Sequence, residues 1–371
     1  MRVVIFVIAM ALFSGGLPAK KKDLRKQSDF QFYVGTYTQK GSQGIYKYSL
    51  QKDGTLRRMG LAAKSDNPTF LAKSPDQKFL IAVNEIRTKD GGGMVEAFSI
   101  ENNRLKLIDK KPSGGSQPCF VTLNKQGYVI TANYGDGTLG LLKLETGKLS
   151  DLLDVQQHYG SGSTPRQKGP HAHSVWFGAD NDDIISLDLG TNELWFSKID
   201  SLKGKLLPMT PQKLIMPEGA GPRHMTFHPN SKWAYVTNEL SSTITILRKT
   251  DKTHYEVGIS VSTLPQGYTG DNSGAEIRIS SDGKFLYASN RGHDSIVIYE
   301  VNADDGELKL IGFELTRGNT PKSFSLSPDE RFLVVANQNS DNIASFKRNI
   351  DDGTLKFVSK IGAPTPVCIL F

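Results

Sequence analysis

Short apolar segments alternate with polar turns along nearly the whole chain. In residues 94–100 the side chains at even positions, Met, Glu, Phe and Ile, alternate with Val, Ala and Ser. A period of two predicts β-strands whose two faces differ. One stretch of about fifty residues then divides into four predicted strands, at residues 69–73, 79–84, 94–100 and 105–110.

The same pattern recurs seven times. A proline starts an apolar strand, a Ser-Pro-Asp-type turn follows in most copies, and a second strand ends in Asn, as in residues 68–84. Pro and Asp in such turns favour a type I conformation. A repeat of 45–53 residues built from short strands and turns predicts an all-β, seven-bladed β-propeller. The repeats start at Pro68, Pro118, Pro170, Pro222, Ala275, Pro321 and Pro366.

The two ends of the chain predict how the ring closes. Residues 366–371 form a first strand with nothing after it, whereas residues 32–37 have the character of a second strand. Residues 44–50 and 56–62 supply the third and fourth strands of the same blade. A blade shared between both termini removes the open sheet edges. We therefore expect residues 31–371 to form one propeller domain with four antiparallel strands in each blade.

The amino-terminal residues predict export. In residues 1–19 Arg2 precedes an apolar run, and small residues precede Lys20, as in a secretory signal peptide. The run is too short to span a bilayer, so we expect a periplasmic or secreted protein without a membrane span. Residues 20–30 form a basic, flexible tether with five of the positive charges behind the net charge of +7. The remainder is nearly balanced, so nucleic acid is not a predicted partner.

The two cysteines do not predict a disulfide. Cys119 and Cys368 start non-adjacent blades, so their Cα atoms should lie beyond the roughly 7 Å that a disulfide allows. We expect two buried free thiols. No Cys/His spacing resembles a zinc site. A closed propeller has no obligate interface, so no oligomeric state is predicted.

Candidate site residues lie where the first two strands of each blade reach one mouth of the ring. These strands are antiparallel, so the start of the first and the end of the second lie together. Buried charges are costly unless they are paired or used. Charged or ionisable side chains at these positions are His171, Arg223, Glu276, Lys322, Glu85, Glu239 and Arg291. Tyr134 and Gln338 occupy equivalent positions, and His173 follows His171 on the same side of its strand.

These residue types suit the hydrolysis of an activated cyclic ester. Arginine binds carboxylates or phosphates and stabilises an oxyanion, whereas Glu and His transfer protons. No Ser, Cys or Lys has a dedicated activating base, so covalent catalysis is not predicted. The alternative to a catalytic role is a structural one. Arg223 and Glu239 would then form an ion pair between two strands, and His171 would be a buried, hydrogen-bonded histidine of the core. The flanking histidines are weaker candidates: His224, His228 and His293.

Several longer motifs occur in order along the chain: residues 169–175 (Gly-Pro-His-Ala-His-Ser-Val), 221–224 (Gly-Pro-Arg-His), 235–240 (Tyr-Val-Thr-Asn-Glu-Leu), 289–295 (Ser-Asn-Arg-Gly-His-Asp-Ser), 335–338 and 366–371. With them, residues 30–371 resemble the seven-bladed β-propeller lactonase family, which includes bacterial 6-phosphogluconolactonases and fungal muconate lactonizing enzymes. The resemblance implies a lactone hydrolase of carbohydrate metabolism that acts on a small sugar lactone. This chemistry requires no metal or other cofactor.

The resemblance also implies roles for particular residues. The family's proposed catalytic residues match His171, Arg223, Glu239 and Arg291. We expect Glu239 to be the general base with His171 assisting, while Arg223 and Arg291 hold the lactone oxygen and any carboxylate or phosphate. Substrate-binding roles are expected for His173, Glu85, Tyr134, Glu276, Lys322 and Gln338.

Three positions depart from the family pattern and leave the substrate open. Phe120 stands where His is frequent, Asn192 where Asp is usual, and Lys322 where Arg is usual. Lys keeps the charge of Arg but loses its bidentate geometry. Gluconolactone and 6-phosphogluconolactone both remain candidate substrates, and export fits the unphosphorylated one better. The alternatives are a lactonizing or isomerising enzyme, or a non-catalytic propeller that binds a ligand or partner. A divalent cation held by Glu85, Glu239 and Glu276 is a further alternative.

Overall fold

The computed structural model describes residues 29–88, 91–101, 104–178, 183–251 and 254–371. The expected signal peptide and most of the expected tether lie outside these residues. The described part of the chain consists of strands and turns without a helix. Within it, no segment forms an apolar helix of membrane-spanning length.

In the described residues, twenty-nine strands form seven antiparallel sheets, each of which is one blade. Blade 7 contains β1 (Phe30–Thr36), β2 (Gly44–Leu50) and β3 (Leu56–Lys64), together with the last strand of the chain. Blade 1 contains β4 (Pro68–Lys73), β5 (Phe79–Asn84), β6 (Met94–Glu101) and β7 (Arg104–Pro112). Blade 2 contains β8 (Pro118–Leu123), β9 (Tyr128–Asn133), β10 (Thr138–Glu145), β11 (Lys148–Leu149) and β12 (Asp154–Gln157). Blade 3 contains β13 (Ala172–Phe177), β14 (Asp183–Asp188), β15 (Glu193–Asp200) and β16 (Lys205–Ile215).

The remaining blades follow the same order, with the first strand innermost. Blade 4 contains β17 (Pro222–Phe227), β18 (Trp233–Asn238), β19 (Thr243–Lys249) and β20 (Tyr255–Ser262), and blade 5 contains β21 (Ser273–Ile279), β22 (Phe285–Arg291), β23 (Ser295–Val301) and β24 (Leu308–Leu315). Blade 6 contains β25 (Pro321–Leu326), β26 (Phe332–Asn337), β27 (Asn342–Arg348) and β28 (Leu355–Gly362). The last strand of the chain, β29 (Pro366–Leu370), belongs to blade 7. Only blade 2 departs from four strands, because its outermost strand is divided into β11 and β12, which both pair with β10.

The ring closes as the sequence predicts. β29 pairs with β1, and Gly35 lies opposite Cys368. The first strands of neighbouring blades contact one another in cyclic order, from β4 around to β29 and back to β4. The predicted all-β, seven-bladed β-propeller is therefore confirmed.

The hydrophobic core lies between neighbouring blades. Phe32 and Tyr48 of blade 7, for example, pack in one cluster with Val334 and Ile343 of blade 6, and all four are fully buried. Each sheet therefore needs apolar residues on the faces that meet its neighbours, which produces the alternation along the strands.

The Asn that ends most second strands links each blade to the connection that enters it. Asn84 Nδ2 donates to the carbonyl oxygen of Asp66 at 2.8 Å, and Asn133 Nδ2 donates to that of Ser113 at 3.1 Å. Both amides are fully buried. Buried polar groups need such partners, which explains why an amide recurs at this position. In blade 3 the position is taken by Asp188.

The predicted register of blade 3 is wrong by two residues. In blades 1, 2, 4 and 6 the proline that starts the repeat pairs with the Asn that ends the second strand. In blade 3 the residue that pairs with Asp188 is Ala172. Pro170 therefore belongs to the preceding loop. The position that follows the pairing residue and faces the channel is His173 rather than His171.

Blade 5 also differs from the predicted register. Gly274, rather than Ala275, pairs with the final Asn of the second strand, Asn290. The pairing then shifts before Ile277, so that this strand contains an irregularity of the β-bulge type. A bulge inserts a residue and redirects a side chain. Here it lies beside Glu276, which lines the cavity described below.

The cysteine prediction is correct except for the burial of one thiol. Both cysteines are free, and Cys368 is buried. Cys119 is only partly buried, because it follows the proline that starts its blade and faces the channel cavity.

Candidate active site

A charged cavity opens at one end of the channel, where the first strands begin and the second strands end. Its volume is about 180 Å³, below the roughly 300–1,000 Å³ of sites for drug-sized ligands, so it has room for a small molecule only. Four cationic side chains, three carboxylates and two histidines dominate the lining. The lining residues are Thr69, Phe70, Glu85, Cys119, Tyr134, Arg166, His173, Arg223, His224, Glu239, Glu276, Arg291, Lys322, Ser323 and Val367.

Glu239 is the most heavily contacted carboxylate of the cavity. Its Oε2 accepts Arg223 Nε at 3.1 Å and a terminal nitrogen of Arg291 at 2.8 Å. Its Oε1 accepts Arg166 at 3.2 Å. Burial alone raises the pKa of Glu239, but Arg291, Arg223 and Arg166 outweigh it and hold the pKa at about 2. Glu239 is therefore a carboxylate at neutral pH.

Two of these arginines are fixed by backbone carbonyl groups of β21. Arg223 donates to Ala275 at 2.8 Å, and Arg291 donates to Gly274 at 2.9 Å. Gly274 also donates its backbone N–H to the carbonyl oxygen of Glu239 at 3.1 Å. A Cβ atom on Gly274 would lie 2.8 Å from the carbonyl oxygen of Asn238, so this close approach requires glycine. The start of β21 thus holds both arginines and the carboxylate in place.

His173 lies between Glu239 and Cys119. Its Nε2 is 3.8 Å from Glu239 Oε2, and its Nδ1 is 3.9 Å from Cys119 Sγ. Burial and then the positive charge of Arg223 hold the pKa of His173 well below 6.5, so the imidazole is neutral at neutral pH. Cys119 donates its thiol proton to the carbonyl oxygen of His173.

His171 lies outside the cavity lining. Its Nδ1 donates to the carbonyl oxygen of Tyr134 at 2.8 Å, and the two rings stack with centroids 4.5 Å apart. Among the described residues, none of its contacts reaches Glu239 or an arginine. Gln338 is also absent from the lining, and its backbone N–H is bonded to Thr320.

A second polar array forms the opposite wall. Lys322 Nζ donates to Tyr37 Oη at 2.7 Å, and Tyr37 donates to Glu85 Oε1 at 2.7 Å. The ammonium group also lies 4.4 Å from the centre of the Tyr37 ring. Burial lowers the pKa of Lys322, while Glu85 opposes that effect. The array brings the ends of blades 6, 7 and 1 together.

His224 and Glu276 form a buried pair in the cavity lining. His224 Nδ1 is 3.1 Å from Glu276 Oε1, and Arg278 lies 3.6 Å from Glu276 Oε2. Burial raises the pKa of Glu276, but Arg278 and His224 outweigh it and hold the pKa at about 2. Burial and the charge of Arg223 lower the pKa of His224 to about 4. The pair is therefore a carboxylate and a neutral imidazole at neutral pH.

Comparison with known proteins identifies the family. The model of a seven-bladed β-propeller lactonase family matches residues 31–371. The chain belongs to this lactonase family. A 6-phosphogluconolactonase of Bacillus subtilis is 36% identical over 79% of the chain and 83% of the relative. A crystal structure from Lactobacillus plantarum is 36% identical, with a TM-score of 0.87 over 93% of this chain and 99% of that one.

A Pseudomonas aeruginosa periplasmic gluconolactonase has the same fold. It is 28% identical, with a TM-score of 0.88 over 92% of this chain and 98% of that chain. The family match and these relatives support a lactone hydrolase, that is, a carboxylic-ester hydrolase.

The structure brings most of the predicted site residues of this lactonase-family protein into one cavity. Apart from His171 and Gln338, every catalytic or substrate-binding candidate lines it. Arg166 and Tyr37 were not predicted from the sequence, and His224 was predicted only as a weaker candidate. His224 directly follows Arg223 on the first strand of blade 4. Tyr37 directly follows Thr36, which ends the second strand of blade 7. Including the residue next to each predicted channel position would therefore have identified both. Arg166 lies in the loop between β12 and β13, for which the repeat gives no signal.

The carboxylates of the cavity already have protein partners. Glu239 contacts three arginines, Glu276 contacts His224 and Arg278, and Glu85 accepts Tyr37. In the described parts of the chain, no three His, Cys, Asp or Glu side chains converge as a metal-binding group.

Proposed function

We propose that the protein opens a sugar-acid lactone, gluconolactone or 6-phosphogluconolactone, by general-base attack of water. The observation that carries the proposal is the contact of one buried carboxylate, Glu239, with Arg223 and Arg291 in a cavity of small-molecule size. The family and its named relatives support the same reaction.

The arginines suit stabilisation of the oxyanion. The carbonyl oxygen of a lactone gains negative charge when water attacks, and fixed guanidinium groups stabilise that charge without reorganisation. Backbone carbonyls hold Arg223 and Arg291 in place before substrate arrives. A donor of this kind contributes about 10²- to 10³-fold in rate.

Glu239 is the proposed base, and the substrate itself increases its basicity. A carboxylate with a pKa of about 2 is a weak base in the free protein. A carbonyl oxygen bound to Arg223 and Arg291 gains negative charge as water attacks, and this charge offsets part of the positive potential that the two fixed guanidinium groups produce at Glu239. The arginines then stabilise the ionised form of Glu239 less, and its proton affinity rises during the attack.

The proposed reaction balances without a cofactor. The water oxygen forms a bond to the carbonyl carbon, and a water proton passes to Glu239. The bond from that carbon to the ring oxygen then breaks, and Glu239 returns the proton to the ring oxygen. The product is an open hydroxy acid, which releases its carboxyl proton to water at neutral pH.

Cys119 does not fit a nucleophile. Burial raises the pKa of its thiol, and Glu85 adds to that effect, so the thiolate is disfavoured. The thiol proton is donated to a backbone carbonyl group rather than to a base. This favours direct attack by water over a covalent intermediate.

The test is pH-stat hydrolysis of glucono-δ-lactone and 6-phosphogluconolactone, corrected for spontaneous opening. We expect acceleration that falls by about 10²- to 10⁴-fold in Glu239→Gln, the usual contribution of a general base. Circular dichroism and thermal unfolding show whether the variant is folded. If a folded wild-type protein accelerates neither reaction, the hydrolase proposal fails. A non-catalytic binding propeller or an isomerase would then be the better interpretation.

We also propose export to the periplasm or the medium. The signal-like residues 1–19 and the periplasmic location stated for the P. aeruginosa relative support it. Cell fractionation with amino-terminal sequencing tests it. Cleavage near Ala19 and recovery outside the cytoplasm are expected, and an intact chain in the cytosol would contradict the proposal.

A further inference from the structure

The cavity lining contains buried polar atoms that form no hydrogen bond in the described structure, although Glu276 Oε2 has Arg278 at 3.6 Å. We define the inner chamber by Thr69, His224 and Glu276, which line the cavity and are 3%, 3% and 0% exposed. Among the described residues, Thr69 Oγ1, His224 Nε2 and Glu276 Oε2 are buried without a hydrogen bond, and so is Glu85 Oε2 on the adjoining wall. Unsatisfied buried polar atoms are costly, so their concentration in one chamber indicates a polar ligand.

Among the lining atoms without a hydrogen bond, Arg291 Nε is a donor, and the others are acceptors or the hydroxyl group of Thr69. A carboxylate oxygen can only accept a hydrogen bond, so Glu85 Oε2 and Glu276 Oε2 are acceptors. His224 Nδ1 lies 3.1 Å from Glu276 Oε1, so the proton of the neutral imidazole is on Nδ1. His224 Nε2 is then an acceptor as well. The ligand must therefore present donors to three acceptors, while the hydroxyl of Thr69 can accept or donate.

Hydroxyl groups match this arrangement better than a phosphate or a cation. A phosphate dianion brings only acceptors and negative charge toward two carboxylate oxygens. A cation would meet the positive charges of Arg223 and Arg278, which act on His224, and that of Lys322, which acts on Glu85. A polyol donates its hydroxyl protons without bringing charge.

The floor of the chamber also suits a sugar. Phe70 lines the cavity and stacks on Phe120 with ring centroids 4.2 Å apart. His224 meets the ring of Phe70 edge-on at 5.9 Å. An aromatic surface next to polar acceptors can pack against the C–H groups of a sugar while its hydroxyls bond to the walls.

We propose that the inner chamber is a hydroxyl-binding subsite for the unphosphorylated polyol end of a sugar lactone. The reacting carbonyl then lies outside it, on Arg223 and Arg291. This assignment rests on the proposed lactonase function for its reaction. It names the substrate class as a sugar lactone with a free terminal hydroxyl, and it assigns binding roles to Thr69 and His224.

The first experiment compares lactones that differ in hydroxyl and phosphate content. We expect kcat/KM for glucono-δ-lactone to exceed that for 6-phosphogluconolactone by about ten-fold or more, because the phosphate displaces a donor and adds negative charge. Unsubstituted δ-valerolactone lacks every hydroxyl and should also be a poor substrate. A preference for the phosphorylated lactone would overturn the subsite while leaving the hydrolase proposal intact.

The second experiment removes a single hydroxyl with Thr69→Val. One hydrogen bond should cost about three- to ten-fold in kcat/KM for glucono-δ-lactone. The same change should leave kcat/KM for δ-valerolactone unchanged. Because Thr69 Oγ1 is unpaired in the free protein, the melting temperature should stay the same or rise. Equal losses with both substrates would contradict a hydroxyl contact.

Thr237→Val is the matched control. Thr237 Oγ1 is likewise buried without a partner, but the residue lies in β18 away from the cavity lining. The control should keep wild-type kcat/KM with both lactones and show the same small change in melting temperature as Thr69→Val. A loss of activity in the control would show that the Thr69 effect is indirect.

Calorimetric binding of D-gluconate separates the subsite from the reaction. We expect wild-type protein to bind D-gluconate more tightly than 6-phospho-D-gluconate, and Thr69→Val to weaken gluconate binding about three- to ten-fold. That result without any lactone hydrolysis would keep the subsite and remove the proposed function. Loss of gluconate binding after EDTA treatment, with recovery on adding Ca²⁺ or Mg²⁺, would identify a cation site and overturn the subsite.

Discussion

One histidine–carboxylate cluster of this propeller lies at Glu239 in the channel cavity, and another lies inside blade 3. In the cavity, His173 Nε2 lies 3.8 Å from Glu239 Oε2. In blade 3, His158 Nδ1 lies 2.8 Å from Asp188 Oδ2, and Ser186 Oγ lies 3.3 Å from His158 Nε2. By these distances, the blade 3 cluster resembles a Ser-His-Asp triad more closely than the cavity cluster does.

Access separates the two clusters. Ser186, His158 and Asp188 are all fully buried, and the ring of Trp195 stacks on His158 with centroids 4.2 Å apart. Asp188 Oδ1 also accepts three backbone N–H groups. The blade 3 cluster therefore holds the loop that enters the blade against its second strand, as the Asn amides do in other blades.

Charge separates them as well. Asp188 has one ionisable partner, whereas Glu239 contacts three guanidinium groups next to an open cavity. The three guanidinium groups around Glu239 lie beside an open cavity, where a substrate can reach them. The buried pair of His158 and Asp188 is not accessible to a substrate. Access and surplus charge thus identify the site better than spacing that resembles a triad.

Glu239→Asp should reduce activity more than any substitution in the blade 3 cluster. The change keeps the negative charge that the arginines need but withdraws the carboxylate by one methylene. A displacement of about 1 Å can cost about 10²-fold in rate, so we expect at least that loss in kcat. Urea unfolding should show little change in stability, because the charge balance is retained. Wild-type kcat in a folded variant would argue against a role for Glu239 in proton transfer.

Asp188→Ala should instead affect stability. Removing one partner of a buried pair costs about 3–5 kcal/mol in the free energy of unfolding. The folded fraction should keep most of its kcat, since Asp188 does not line the cavity. Urea unfolding and the activity per folded molecule measure both quantities. A stable variant without activity would make blade 3 part of the catalytic machinery.

Acid should weaken the fold through the cavity carboxylates. The pKa of Glu239 and that of Glu276 are about 2 in the folded protein, against an ordinary value of 4.5. As pH falls below 4.5 the unfolded chain binds protons first, so their contribution is lost between pH 4.5 and about 2. His224, whose pKa falls from 6.5 to about 4, weakens the fold in the same direction between these two values.

Glu276→Gln tests this pH dependence. Each group of this kind steepens the loss by up to about 1.4 kcal/mol per pH unit. Urea midpoints at pH 6, 4.5 and 3 should therefore fall less steeply in the variant than in the wild type. Equal slopes would show that Glu276 does not carry a depressed pKa in the folded state.

The fold was predictable because it repeats. Each turn and strand appears about seven times, so a missing proline in one copy did not hide the period. A single copy offers no such check. The register of blade 3 was therefore predicted wrongly, because His171 and His173 both fit the channel position of the repeat. The pairing of Ala172 with Asp188 decides between them, and that contact between strands cannot be inferred from the residues alone.

The cavity was predictable only where blade strands form it. Glu239 and Arg291 occupy equivalent positions of the repeat, and the sequence pattern placed both at one mouth. Arg166 reaches Glu239 from a loop with no counterpart in other blades. That loop is held by Gln167, whose amide donates to the carbonyl oxygen of Leu189 and to Asn192 Oδ1. Neither contact follows from a repeat.

Ser186→Ala should have the smallest effect and gives the sharpest test of the comparison. The variant loses the weak 3.3 Å contact to His158, so the free energy of unfolding should fall by about 0.5–1.5 kcal/mol. A nucleophilic serine in a working triad would lose nearly all activity on the same change. We expect wild-type kcat with glucono-δ-lactone, measured beside Glu239→Asp in the same assay. If Ser186→Ala abolished hydrolysis in a folded protein, blade 3 would have to open to substrate, and the assignment of the cavity as the active site would be wrong.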